Sequence, residues 1–195
     1  MPDRPFRHGN LRQELLDRAE VVLRERGIEA LSLRELARDA GVSHGAPRSH
    51  FPHRAALLDA LVARGYERLA DRAEALVHAD LAPRERLLAL GRAQLDFALR
   101  DAALADLMYA AKADGPSPAV EPGVQRLHAA SSTVVATSLE MLRGERVDPL
   151  RTTLLMSSLT QGIAALIGSG RVPVELGEVL LADALDLFAD GRLPG

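Results

Sequence analysis

Apolar positions along this chain recur with the helical period almost everywhere, and no stretch shows the alternation of a strand. Leu11, Leu15, Ala19, Val22 and Leu23 mark a first helix, opened by an Asn10/Gln13 capping pattern and closed by Gly27. Ser32 and Glu35 form an S-x-x-E capping box for a second, whose inner face is Leu33, Leu36, Ala37 and Ala40. Gly41 suits a turn, Ser43 is placed to cap a third helix, and Pro52 ends that helix just after Phe51. Longer helices follow at about 54–77, 83–100, 102–112, 124–143, 149–168 and 175–189, with Pro83 and Pro149 at two of the starts. GPSPAVEPG at 115–123 reads as a loop. The pattern predicts an all-α protein of about nine helices.

The pair at 32–40 and 43–51 has the length and glycine turn of a helix-turn-helix. Its second member is short, free of acids and poor in large apolar side chains, yet carries His44, Arg48 and His50. A helix so poorly equipped to join a core is displayed outward, and the major groove of DNA is the natural client for it.

Composition supports a real core: 47% of residues are hydrophobic, but only 3% are aromatic, so the core is Leu, Ala and Val. The chain has no cysteine, which excludes disulfides, thiolate zinc sites and cysteine nucleophiles. No signal-peptide stretch or membrane-length apolar run is present, so a cytoplasmic protein without membrane attachment is expected. The net charge of −3 is uneven: residues 1–64 hold 11 Arg against 9 acids, and four of the six His. The front end is thus the anion-facing one. No HExxH or P-loop occurs, and no enzyme, cofactor or metal site is expected. His44, His50 and His53 straddle the helix end at Pro52 with no carboxylate nearby, a poor arrangement for a metal.

On these residues the chain resembles the TetR/AcrR-type transcriptional regulators, most strongly over 10–65. The elements that carry the resemblance are LSLRELARDAGVS at 31–43, Phe51-Pro52, and Arg54 ahead of Leu57. The resemblance implies a DNA-binding domain at 1–53 and a ligand-binding and dimerisation domain at 54–195. It also implies a homodimer, a palindromic double-stranded operator and a small-molecule effector, with repression relieved when the effector binds; the alternative is a DNA-binding regulator or interaction module whose body takes no ligand. Three positions depart from the family pattern: Pro47 stands where Leu is frequent, Arg48 where Tyr is, and His53 where an Asn, Asp or Ser cap is usual.

The DNA-facing set expected from this reading is Arg7, Ser32, Arg34, Ser43, His44, Gly45, Ala46, Arg48, Ser49, His50 and Arg54. Gly45 allows close backbone approach, and Ala46 suits a thymine methyl. Arg48 either reads guanine O6 and N7 or holds a phosphate. Ser43 offers a phosphate site at a helix start, and Arg4 and Arg7 lie in an N-terminal arm. His50 and Arg54 match family positions that bind phosphate. With roughly four phosphates per subunit and two subunits in a dimer, log K is expected to fall with a slope of about −7 in log salt. Protonation of His44 or His50 is expected to strengthen binding.

In the body, Leu69, Met108, Tyr109, His128, Ser131, Ser132, Met156, Thr160 and Gln161 are the adaptable or polar groups expected to line an effector pocket. The last two helices suit association of two copies through Leu155, Leu159, Ile163, Leu166, Ile167, Val179, Leu180 and Leu187.

Overall fold

The computed structural model describes residues 11–112 and 115–190; Arg4, Arg7 and Asn10 lie outside the described residues. Eight α-helices run through them: α1 Leu11–Arg26, α2 Leu33–Asp39, α3 Arg54–Val77, α4 Pro83–Arg100, α5 Ala102–Lys112, α6 Glu121–Arg143, α7 Pro149–Gly168 and α8 Val174–Ala189. Two short 3-10 helices, Ile28–Ala30 and Ala46–Ser49, flank α2, and no strand occurs among the described residues. The all-α reading holds. α6 begins earlier than expected, because Pro122 falls in its first turn, where a missing N–H is no loss.

The chain divides into two compact units within α3. The first holds residues 11–65 with 103–112 and 115–120; the second holds 66–102 and 121–190. The boundary expected at 53/54 precedes α3, whereas the observed division falls inside that helix.

In the first unit, α1 buries Leu15, Leu16, Ala19 and Leu23, and α2 buries Leu36 and Ala37. Leu57, Leu61 and Val62 of α3 complete that core, with Leu104 and Met108 of α5. Gly65 lets α5 come close: a Cβ there would lie 2.5 Å from Met108 Sδ. Arg64 ties α3 to α1, at 2.6 Å from Asp17 and 3.3 Å from Glu20.

In the second unit, α4, α6, α7 and α8 bury Leu87, Leu95, Val134, Leu139, Met156 and Leu181, joined by Ala73 of α3. Two glycines set close helix approaches. A Cβ on Gly91 would lie 3.0 Å from Leu181 Cδ1, and one on Gly177 2.3 Å from Ile167 Cδ1. Ion pairs lace the outside: Arg84 with Asp186, Arg92 with Glu178, and Arg126 with Asp71 and Glu74.

Candidate nucleic-acid interface

The segment expected to be an α-helix at 43–51 is a tighter turn. Its bonds run from Ala46 N–H to Ser43 O, from Arg48 N–H to Gly45 O, and from His50 N–H to Pro47 O, all reaching back three residues. Pro47 explains this. Its ring nitrogen has no hydrogen, so the bond an α-helix needs from residue 47 to residue 43 cannot form. The chain settles into a 3-10 turn over Ala46–Ser49. Ser43 therefore precedes a turn rather than capping an α-helix, which is a correction to its expected role.

Two side chains anchor the turn from below. Pro47 is buried, and Phe51 is 1% exposed with the Arg12 guanidinium 5.4 Å from its ring centroid. With both anchors pointing inward, Ser43, His44, Gly45, Arg48, Ser49 and His50 are exposed, and Ala46 is half-buried. The Ser49 hydroxyl donates to Ala46 O at 2.7 Å and so helps hold the turn. The side chains of His44, Arg48, His50 and Arg34 make no hydrogen bond or ion pair with the described residues. Gly45 has φ −85, open to any residue, and nothing lies within 4 Å of where its Cβ would be. The surface is thus small, cationic and open to close approach.

The lead-in to this surface departs from expectation at three points. Ser32 occupies the N-cap of α2, but its side chain makes no capping bond, so the S-x-x-E box is not realised; Glu35 sits 3.8 Å from Arg26 instead. Ser32 is half-buried and Arg34 exposed. Arg54, expected on a phosphate, donates from Nε to Leu31 O at 3.0 Å and from Nη2 to Ile28 O. His53 replaces the usual cap in kind: Ala56 N–H donates to its Nδ1 at 3.1 Å. Sequence reasoning missed this, since an imidazole is rarely read as a cap.

The nine residues expected to meet an effector are spread across both units. Met108 and Tyr109 belong to the first; Met108 is buried, while Tyr109 is 41% exposed. Burial and then Asp106 raise the Tyr109 phenol above its ordinary value. The other seven lie in the second unit. Leu69, Ser131, Met156 and Thr160 are buried, and the Thr153 hydroxyl donates to Ser132 Oγ at 3.4 Å. His128 and Gln161 are exposed on the outer faces of α6 and α7, not in the interior of that unit.

The residues expected between two copies also separate. Ile163 is 4% exposed, and Leu159, Ile167 and Leu180 pack on the core of their own unit. Leu166 is half-buried, whereas Leu155, Val179 and Leu187 are exposed, with Leu150, Leu154 and Leu176 beside them in α7 and α8.

A model of bacterial regulatory proteins of the tetR family matches residues 15–61, the stretch from the middle of α1 into α3. The HTH-type transcriptional regulator PksA of Bacillus subtilis strain 168 is 33% identical over 81 residues, 42% of this chain, and the match spans 40% of PksA. A protein of unknown function from Rhodococcus sp. RHA1 superposes over 97% of this chain and 98% of its own, with 36% identity and a TM-score of 0.85. A putative TetR-family transcriptional regulator from Rhodococcus sp. shares the fold at 21% identity, with a TM-score of 0.68 over 92% of this chain and 98% of its own. So does a putative transcriptional regulator from Saccharomonospora viridis in complex with choline, at 21% identity and a TM-score of 0.72 over 90% of this chain and 95% of its own.

Proposed function

The chain belongs to the TetR family of bacterial regulatory proteins, and from that premise we propose that it is a homodimeric regulator that reads operator DNA with the turn at 44–50 and answers to a small-molecule effector. The observation that carries the DNA reading is the set of side chains without protein partners on that turn. His44, Arg48 and His50 stand exposed, and no acid occurs from residue 40 to 58. Exposed guanidinium and imidazole groups without protein partners are free to donate to phosphates and base edges. Arg48 is the base reader, with Gly45 beside it leaving room for the backbone to approach.

Two copies are supported by α7 and α8. Leu150, Leu154, Val179 and Leu187 are each more than half exposed, and Leu155 and Leu176 only slightly less. An apolar stretch of this kind on two neighbouring helices is suited to a second copy of itself. A two-fold pair of heads requires a palindromic site with half-sites about 34–36 Å apart. An effector in the second unit is supported by hydroxyls inside an otherwise apolar interior: Ser131, Ser138, Thr152, Thr153 and Thr160 are all buried. The S. viridis relative carries choline in its structure. In this reading the effector changes the spacing of the two heads and relieves repression. The protein acts in the cytoplasm; no described helix is long and apolar enough to cross a membrane.

The test is selection of duplexes from a random library by the full-length protein. An enriched palindrome with a guanine whose preference disappears in Arg48→Ala is expected. Absence of any enriched sequence sinks the DNA reading. Thermal melting against a metabolite panel then addresses the effector, and no stabilisation by any compound in a broad panel counts against it.

A further inference from the structure

We propose that Arg54 is a positioning residue that fastens the entry of α2 to the start of α3, and not a contact to DNA phosphate. The guanidinium reaches two backbone carbonyls, Leu31 O through Nε and Ile28 O through Nη2. Ile28 opens the 3-10 turn Ile28–Ala30 and Leu31 follows it, so the two carbonyls bracket the turn that leads into α2. Arginine presents donors in a rigid planar fork, which suits two acceptors held three residues apart. The bonds bridge 23 and 26 residues of sequence, so they hold one element against another rather than closing a local turn.

Three observations show why α2 needs such a hold. It has seven residues, under two full turns, and so short a helix has little stability of its own. Ser32 stands at its N-cap without a side-chain bond, so the usual local device is missing. Leu31, the residue that leads into it, is 2% exposed, and its carbonyl is one of the two that Arg54 takes.

The other end of the fastener is equally fixed. His53 accepts the Ala56 N–H, which closes the first turn of α3 exactly where Arg54 sits. A cation in the first turn of a helix stands at the positive end of the macrodipole, an unfavourable place for it. The two carbonyl oxygens offset that repulsion and account for an arginine at this position. Arg34 on α2 and the turn at 44–50 that follows α2 then inherit an orientation set by α3. The proposal depends on the DNA-reading function only for its binding arm.

The test uses the full chain with Arg54→Ala and Arg54→Lys. The first readout is amide hydrogen exchange. Both variants are expected to speed exchange at the α2 amides from Leu36 to Ala40 by roughly tenfold or more, while α1 keeps its protection. Lysine does not rescue, because a single ammonium is a point charge without the fork. The second readout is binding to one arbitrary-sequence duplex across a salt series. The slope of log K against log salt is expected to stay as in the parent. Unchanged α2 exchange, rescue by lysine, or a slope shallower by about 0.9 per subunit each overturns the proposal. Should the alanine variant fail to fold, the lysine variant alone decides it, since it keeps the charge and removes the fork. Should the parent bind no duplex, the DNA reading fails, and hydrogen exchange still decides the role of Arg54.

Discussion

The turn at 44–50 and the outer faces of α7 and α8 are both left open to solvent, and the side chains they leave open are of opposite kinds. The turn shows cations without partners and a glycine with space around it. The helix pair shows leucines and valines that its own core does not use. Each surface lacks what the other has, so the two call for different occupants: a polyanion for one, an apolar twin for the other. Exposure alone would not separate them; the chemistry of what is exposed does.

The comparison breaks most visibly at the helix pair. Leu154→Arg combined with Val179→Arg places charges on a face that we assign to a second copy. On the order of 3 kcal/mol or more of association is expected to be lost, and the 21.0 kDa chain sediments as a monomer. A double variant that remains dimeric in analytical ultracentrifugation moves the interface elsewhere. Next comes Arg48→Ala, which is expected to cost about 1–3 kcal/mol of discrimination at one base pair. A uniform loss across all sequences in a competition binding assay would instead make Arg48 a phosphate contact.

Two glycines sharpen the contrast further. Gly177→Ala drives a methyl to 2.3 Å from Ile167 Cδ1, and a loss of about 1–2 kcal/mol in chemical denaturation is expected after some relaxation. Gly45→Ala meets nothing within 4 Å, so stability is expected to move by no more than about 0.5 kcal/mol, while DNA affinity falls. A destabilised Gly45→Ala protein would show that the turn is not as open as its geometry implies.

The smallest effect is electrostatic. Arg84 hydrogen-bonds Asp186 and holds its carboxyl below the ordinary carboxylate range. A carboxyl lowered in the folded state contributes stability above its unfolded value and loses that contribution as pH falls through its folded value. The pair is exposed, so salt screens it and the contribution is slight. Asp186→Asn is expected to flatten the acid side of the melting-temperature profile by a small amount and leave neutral pH nearly unchanged.

Most of the fold was legible because it rests on period and punctuation. Pro83 and Pro149 begin α4 and α7 where the sequence places them, and the Leu/Ala faces turn inward as expected. The candidate site was legible as to residue type but less so as to partner. Arg54 reads as a cation near DNA, yet its donors meet carbonyls that lie more than twenty residues back in the chain. Ser32 and Glu35 have capping-box spacing, which cannot report that Glu35 faces Arg26. The mixture in α7 was equally hidden. Ile163 and Leu155 look alike in sequence, yet Ile163 joins the buried core of its unit while Leu155 stays exposed.

The anchoring of the reading turn bears on how such a protein changes over generations. The Pro47 and Phe51 side chains hold the turn, whereas the side chains of His44, Arg48 and His50 bond nothing in the described protein and Gly45 has none. Under the DNA reading proposed above, structural necessity and target choice fall to different positions in one short segment. A duplicated gene could alter any of the four outward residues without passing through an unfolded intermediate. New operators are therefore within reach by single substitutions, and descendants can part company over what they bind long before they part company in shape.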